Sequence, residues 1–122
     1  MTLTLVSERD SELLGFAHSV VDEDAEWGTL LDNLHVRHGA RRLGIATQLM
    51  AATAARLRMR TTTSPGLSLW VLENNAPARR FYDALGGHIV GSGISTEGGG
   101  SEPALRYSWP HLDPLVSYLQ EQ

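Results

Sequence analysis

Two hydrophobic periods divide this chain. From Thr2 to Val36 the apolar positions recur at strand spacing: Thr2 to Val6 alternates, Glu12 to Val21 carries apolar residues at short intervals, and "WGTLLDNLHV", Trp27 to Val36, reads as a third strand. The polar cluster Glu8-Arg9-Asp10-Ser11 turns the first strand into the second, which makes an antiparallel hairpin, and the acidic stretch Asp22 to Glu26 forms the next turn. Gly15 marks a bulge or a close backbone approach. From Gly44 to Arg60 the period lengthens. Ile45, Leu49, Met50, Ala52, Thr53 and Leu57 form a helical stripe about 25 Å long at 1.5 Å per residue. "TTTSPG" stops that helix, and "LSLWVL", Leu67 to Leu72, is a continuous apolar run that predicts a strand buried on both faces. A second helix is expected over Pro77 to Leu85, with Pro77 in its first turn and Gly86-Gly87 as its stop. "HIVGSGIS" and "ALRYSWP" predict a final strand pair around Gly98 to Gly100, a flexible hairpin connection. The order β-β-β-α-β-α-β-β describes an α+β fold: a mixed, mostly antiparallel sheet with two crossover helices.

At 122 residues and 42% apolar content the chain supports one domain, residues 1–122, with one core. No apolar run reaches the roughly 18 residues that a membrane span needs, and no charged-then-apolar leader is visible, so the expected address is the cytoplasm. The absence of cysteine excludes disulfides, thiolate chemistry and cysteine-bound zinc. No two of the five histidines stand at i, i+4 on a helix, so no metal site is expected.

The net charge of −4 argues against nucleic acid as a partner, yet the charge is unevenly spread. Residues 1–32 hold eight acids against Arg9 alone, whereas residues 33–72 hold six arginines and no acid. An anionic ligand therefore has one region to visit. Within it, "RRLGIATQLM", residues 41–50, joins Arg41, Arg42 and Gly44 to the start of the first helix, directly after the strand end Leu34-His35-Val36. A helix amino terminus presents unpaired N–H groups and partial positive charge, Gly44 removes a side chain there, and Arg37, Arg41 and Arg42 add full charge. By these residues alone the junction is either a phosphate site or a solvated helix start.

The extended pattern resembles the acyl-coenzyme-A-binding core of the GNAT superfamily of N-acyltransferases. Arg41-Arg42-Leu43-Gly44-Ile45-Ala46 follows a strand ending Leu34-His35-Val36, as in the family's motif, and Asn75, Ala78, Phe81-Tyr82 and Leu85-Gly86-Gly87 match a second signature at a fitting distance. The resemblance runs from about Thr2 to Trp109. It implies an N-acetyltransferase with acetyl-CoA as co-substrate and no metal. The pyrophosphate would lie against Arg41, Arg42, Gly44, Ile45 and Ala46, cradled by the backbone N–H groups around Arg42, Gly44 and Ala46. The pantetheine arm would pair with the backbone of Leu34 and Val36 like an added strand. Asn75 would hydrogen-bond near that arm, and Tyr82 would be the acid beside the thioester sulfur, although by spacing alone Tyr82 reads as a core aromatic.

For the general base the candidates are Asp32, His35 or none. Alternation places Asp32, Leu34 and Val36 on one face of the third strand and Leu31, Asn33 and His35 on the other. The acidic run Asp22 to Glu26 is either a solvated turn or a lure for a cationic amine. Family members usually begin with a strand and two helices before the hairpin that opens this sequence. Their absence leaves a fragment or compact variant, a partner subunit on the open edge, or retained cofactor binding with loss of catalysis as explanations. An uncovered sheet edge favours a homodimer. The expected acceptor is a small-molecule or protein amine, and a non-catalytic acyl-CoA-binding module is the alternative.

Overall fold

Asp10 and Ser11 both adopt positive φ, 54° and 68°, and the pair Arg9↔Glu12 closes around them, so the polar cluster makes a two-residue hairpin turn. This turn joins β1 (Thr2–Arg9) to β2 (Glu12–Asp24), and β3 (Gly28–Val36) follows. A 3-10 helix (His38–Leu43) then leads into α1 (Ile45–Arg58), β4 (Leu67–Leu72) and α2 (Ala76–Ala84). The chain continues through β5 (His88–Ser95), a 3-10 turn (Glu97–Gly99), β6 (Glu102–Trp109) and a short α3 (Asp113–Val116). The computed structural model describes residues 1–60 and 66–119, apart from the side chain of Arg42. The helix stop expected at 61–66 lies, but for Gly66, outside the described residues. Among the described residues no helix is long and apolar enough to cross a membrane.

The six strands form one sheet in the order β1-β2-β3-β4-β6-β5, and β3–β4 is the parallel neighbour pair in it. The expected α+β class and element order therefore hold. Two short 3-10 segments and α3 join the expected elements, each too brief to leave a period in the sequence.

Alternation decides what is buried. Leu67, Leu69 and Val71 of β4 stand opposite Trp109, Tyr107 and Leu105 of β6, and this face packs with Ala17, Leu31 and the α1 stripe Ile45, Leu49, Met50, Ala54 and Leu57 into one core. The other face carries Ser68, Trp70 and Leu72 opposite Ser108, Arg106 and Ala104. The helices all pack on the first face, so Trp70 remains 43% exposed. The expectation that β4 is buried on both faces is corrected at that residue.

The acidic turn is pinned rather than free. Asp24 Oδ1 accepts the N–H groups of Glu26 and Trp27 at 2.7 and 2.9 Å. The bonds from Trp27 and Glu26 hold its carboxyl below the usual range, burial opposes them, and the Arg106 charge adds to them. Arg60 reaches Asp22 at 3.1 Å.

Gly15 shows why the hairpin needs a missing side chain. A Cβ there would stand 2.7 Å from the His35 carbonyl oxygen and 3.3 Å from both Ile45 Cγ2 and Val36 Cα. The close approach brings the start of α1 against the end of β3. The pairing with β1 also slips by one residue here, between Ser7↔Gly15 and Glu8↔Leu13, so Gly15 adjoins a bulge as well. Gly15→Ala is expected to destabilise the fold by about 1–3 kcal/mol, as an overpacked site does, and a urea unfolding midpoint unchanged from wild type would contradict this packing.

Candidate functional site

β3 contains one residue more than its partner accounts for. Ser19 stands opposite Leu31 and His18 opposite Asn33, so Asp32 is the extra residue of a β-bulge. Thr29 N–H donates to Gly66 O, which directs the odd-numbered backbone groups before the bulge toward β4. Arg37 N–H donates to Leu14 O, which directs the odd-numbered groups after it toward β2. The backbone of Leu34 and Val36 therefore faces away from β2. The pairing with β4 covers only Thr29↔Leu67 and Leu30↔Ser68, so the two strands diverge just where this turned backbone begins.

The bulge also redistributes side chains, and it overturns the face assignment that simple alternation gives. Leu31, Leu34 and Val36 pack toward the core, while Asp32 is exposed and separated from them. His35 is exposed, with its ring 5.7 Å from that of Phe16. Of the two candidate bases, Asp32 borders the cavity described next and His35 does not.

The divergence of β3 and β4 opens a cavity of about 550 Å³. Leu30 to Asp32 line one side, Trp70 to Leu72 another, and Gly93 to Glu97 with Ala104 complete it. The Trp70 ring lies over Gly93, where a Cβ would come within 3.3 Å of it. Trp70, Gly93 and Glu97 were not expected as site residues. Their convergence depends on β6 lying between β4 and β5, which no local pattern reveals.

At the far end of β3, Gly44 ends the 3-10 helix and begins α1 with φ 74°, and open space surrounds the position a Cβ would take. No side chain caps α1, no acid stands in its first turn, and Gln48 N–H donates to Gly44 O as the first helical bond. The N–H groups at that end, at Ile45 and Ala46, are those a helix leaves unpaired. Ile45 is buried beneath them, Arg41 is exposed, and Arg42 lies within the 3-10 helix. Arg37 is engaged by Glu12 at 3.3 Å.

Across the divergence, Asn75 caps α2: its Oδ1 accepts the Ala78 N–H at 3.2 Å. Half-buried Tyr82 projects from α2 into an aromatic cluster, with ring centroids 5.8 Å from Tyr107 and 6.0 Å from Trp109. Trp109 Nε1 in turn donates to Leu85 O at 3.1 Å, which holds the end of α2 on β6. Burial raises the Tyr82 pKa above that of an ordinary phenol. Tyr82 packs on the helix-bearing face and does not line the 550 Å³ cavity that Asp32 borders.

Residues 2–87 match the model of the family described as Acetyltransferase (GNAT) family. Among solved structures, a GNAT-family protein of Desulfovibrio desulfuricans superposes with a TM-score of 0.75 at 18% identity, over 89% of this chain and 69% of that one. Nourseothricin acetyltransferase gives 0.73 at 27% identity, over 89% and 65%. Arabidopsis thaliana NAA60 in complex with acetyl-CoA gives 0.72 at 21% identity, over 88% and 75%. The chain thus spans about two thirds to three quarters of the length of these neighbours. No curated protein sequence matches it.

The raised Tyr82 pKa predicts a stability effect with a definite sign. The folded state holds the phenol proton to higher pH than the unfolded chain, so the stabilisation is complete below about pH 10, the unfolded value, and is lost as pH rises toward the folded value. Denaturant melts should weaken above about pH 10, and less steeply in Tyr82→Phe. An identical alkaline decline in both proteins would contradict the assignment.

Proposed function

The chain belongs to the GNAT acetyltransferase family, and from that premise we propose that it is an N-acetyltransferase that moves the acetyl group of acetyl-CoA to a primary amine by direct attack. The observation that carries this reading is the backbone of Leu34 and Val36, turned by the bulge into the divergence of β3 and β4 and continuous with the uncapped helix start at Gly44. A pantetheine arm carries amide groups and can pair with such a backbone as an added strand. The pyrophosphate then reaches the N–H groups at Ile45 and Ala46, with Arg41 and Arg42 supplying charge. Open space beside Gly44 fits that approach, since any larger side chain would occupy it. The Asn75 carboxamide completes the cofactor side from the β4 arm.

On this reading the acceptor enters through the 550 Å³ cavity beside Asp32. The acceptor ammonium gives one proton to Asp32, directly or through water, and from there to solvent. The neutral amine nitrogen attacks the thioester carbon, the C–N bond forms, and the C–S bond breaks as the tetrahedral adduct collapses. The nitrogen loses its second proton and the leaving sulfur gains one, so the products are an acetamide and the free thiol. Tyr82 is the donor to the sulfur. Its raised pKa keeps it a neutral phenol across the working range. A buried phenolate is a stronger base than a thiolate, so the phenol passes its proton on only as the adduct's nitrogen proton replaces it.

The open outer edges of β1 and β5 extend the reading to a homodimer, which light scattering of the purified protein tests.

Tyr82→Phe should lower kcat by about 10²-fold or more while the acetyl-CoA dissociation constant from calorimetry stays within about twofold. Equal losses in both would remove Tyr82 as the acid. Gly44→Glu should abolish acetyl-CoA binding, because it sets a carboxylate against the pyrophosphate. Retained affinity would refute the cradle.

A further inference from the structure

The ionisable side chains lining the 550 Å³ cavity are Asp32 and Glu97, and both are acidic. They project from different elements, Asp32 from the β3 bulge and Glu97 from the 3-10 turn after β5. The same lining holds apolar Leu30, Trp70, Leu72 and Ile94 beside the hydroxyl-bearing Ser95 and Thr96. The cation over Trp70 is already engaged. Arg106 lies 5.3 Å from the Trp70 ring centroid, donates to Ser68 Oγ at 3.1 and 3.3 Å, and faces Glu23 at 3.5 Å and Asp24 at 3.9 Å. Its side chain is only 12% exposed. The acidic β2–β3 turn therefore engages the guanidinium beside Trp70, and the ionisable groups of the lining, Asp32 and Glu97, leave the cavity a negative field.

A cavity with one carboxylate suits any ammonium. A second carboxylate in a cavity that also offers apolar surface suits a molecule with two cationic ends and a hydrocarbon between them, and opposes any acceptor that carries its own carboxylate. We propose that the acceptor is a dicationic amine, its reacting end at Asp32, its distal cation at Glu97 and its hydrocarbon spacer against Trp70. The proposal rests on the acetyl-transfer reading above, and it makes Glu97 a specificity-determining residue rather than a catalytic one.

Putrescine, butylamine and γ-aminobutyrate share a four-carbon chain and differ in the distal group, which is cationic, apolar and anionic respectively. The full chain is first titrated with acetyl-CoA by calorimetry, and then thiol release is followed with each amine. Putrescine should exceed butylamine in kcat/KM by about tenfold, the worth of one charge-assisted contact, and γ-aminobutyrate should fall below butylamine. Raising the salt concentration should narrow the putrescine-to-butylamine ratio, and Glu97→Gln should bring it toward unity. If acetyl-CoA binds but butylamine matches putrescine, or putrescine is not acetylated, or Glu97→Gln leaves the ratio intact, the dication assignment is overturned and the cofactor reading stands. If acetyl-CoA does not bind, both fall together.

Discussion

The single residue added to β3 at Asp32 is the constraint on which the candidate site depends. A β-strand offers its hydrogen-bonding groups to left and right alternately, so a strand held on one side by β2 and on the other by β4 has none to spare. The bulge breaks that symmetry. Before it, Thr29 bonds to Gly66 at the start of β4; after it, Arg37 bonds to β2, and the intervening Leu34 and Val36 are turned toward the side that β4 has left. The same extra residue moves Leu34 and Val36 onto the core face with Leu31 and leaves Asp32 exposed at the cavity. One insertion thereby opens the sheet, exposes a backbone edge and aims a carboxylate.

Charge follows the same axis. The helix start at Gly44, with Arg41 and Arg42 before it, lies at the carboxyl end of β3 and suits an anion. The cavity at the bulge is lined by Asp32 and Glu97 and suits a cation. Arg106 could have cancelled that field, but Glu23 and Asp24 fold back to hold it against Trp70. A cofactor with phosphates at one end and a thioester at the other would lie along β3 with its reactive end toward the acids. The acidic turn, which in the sequence reads as a solvated turn or a lure for a cationic amine, holds Arg106 through Glu23 and Asp24.

The element order was legible because it is written in local chemistry. The shift from strand to helical spacing at Gly44, the Asp10-Ser11 turn, and the Asn75 to Pro77 start of α2 each depend on residues near one another in the chain. The uncapped helix start at Gly44 was legible for the same reason, since Arg41 to Ala46 are contiguous. The cavity was not. Its bulge arises from the register between His18 and Asn33, and Trp70, Gly93 and Glu97 meet only because β6 lies between β4 and β5. Trp70 looked buried within "LSLWVL" because a sequence cannot say that all three helices choose the same face of the sheet. Asn75 is proposed for the cofactor side, and its Oδ1 also serves α2 as an N-cap, a role that the Asn-Ala-Pro order could have signalled.

Amide hydrogen exchange, resolved to single residues by NMR and measured with and without acetyl-CoA, tests the central claim most directly. The account predicts that the Leu34 and Val36 amides exchange quickly in the free protein and are protected when acetyl-CoA is added, together with those of Ile45 and Ala46 at the start of α1. Slow exchange of Leu34 and Val36 in the free protein, or exchange unaltered by acetyl-CoA, would contradict it.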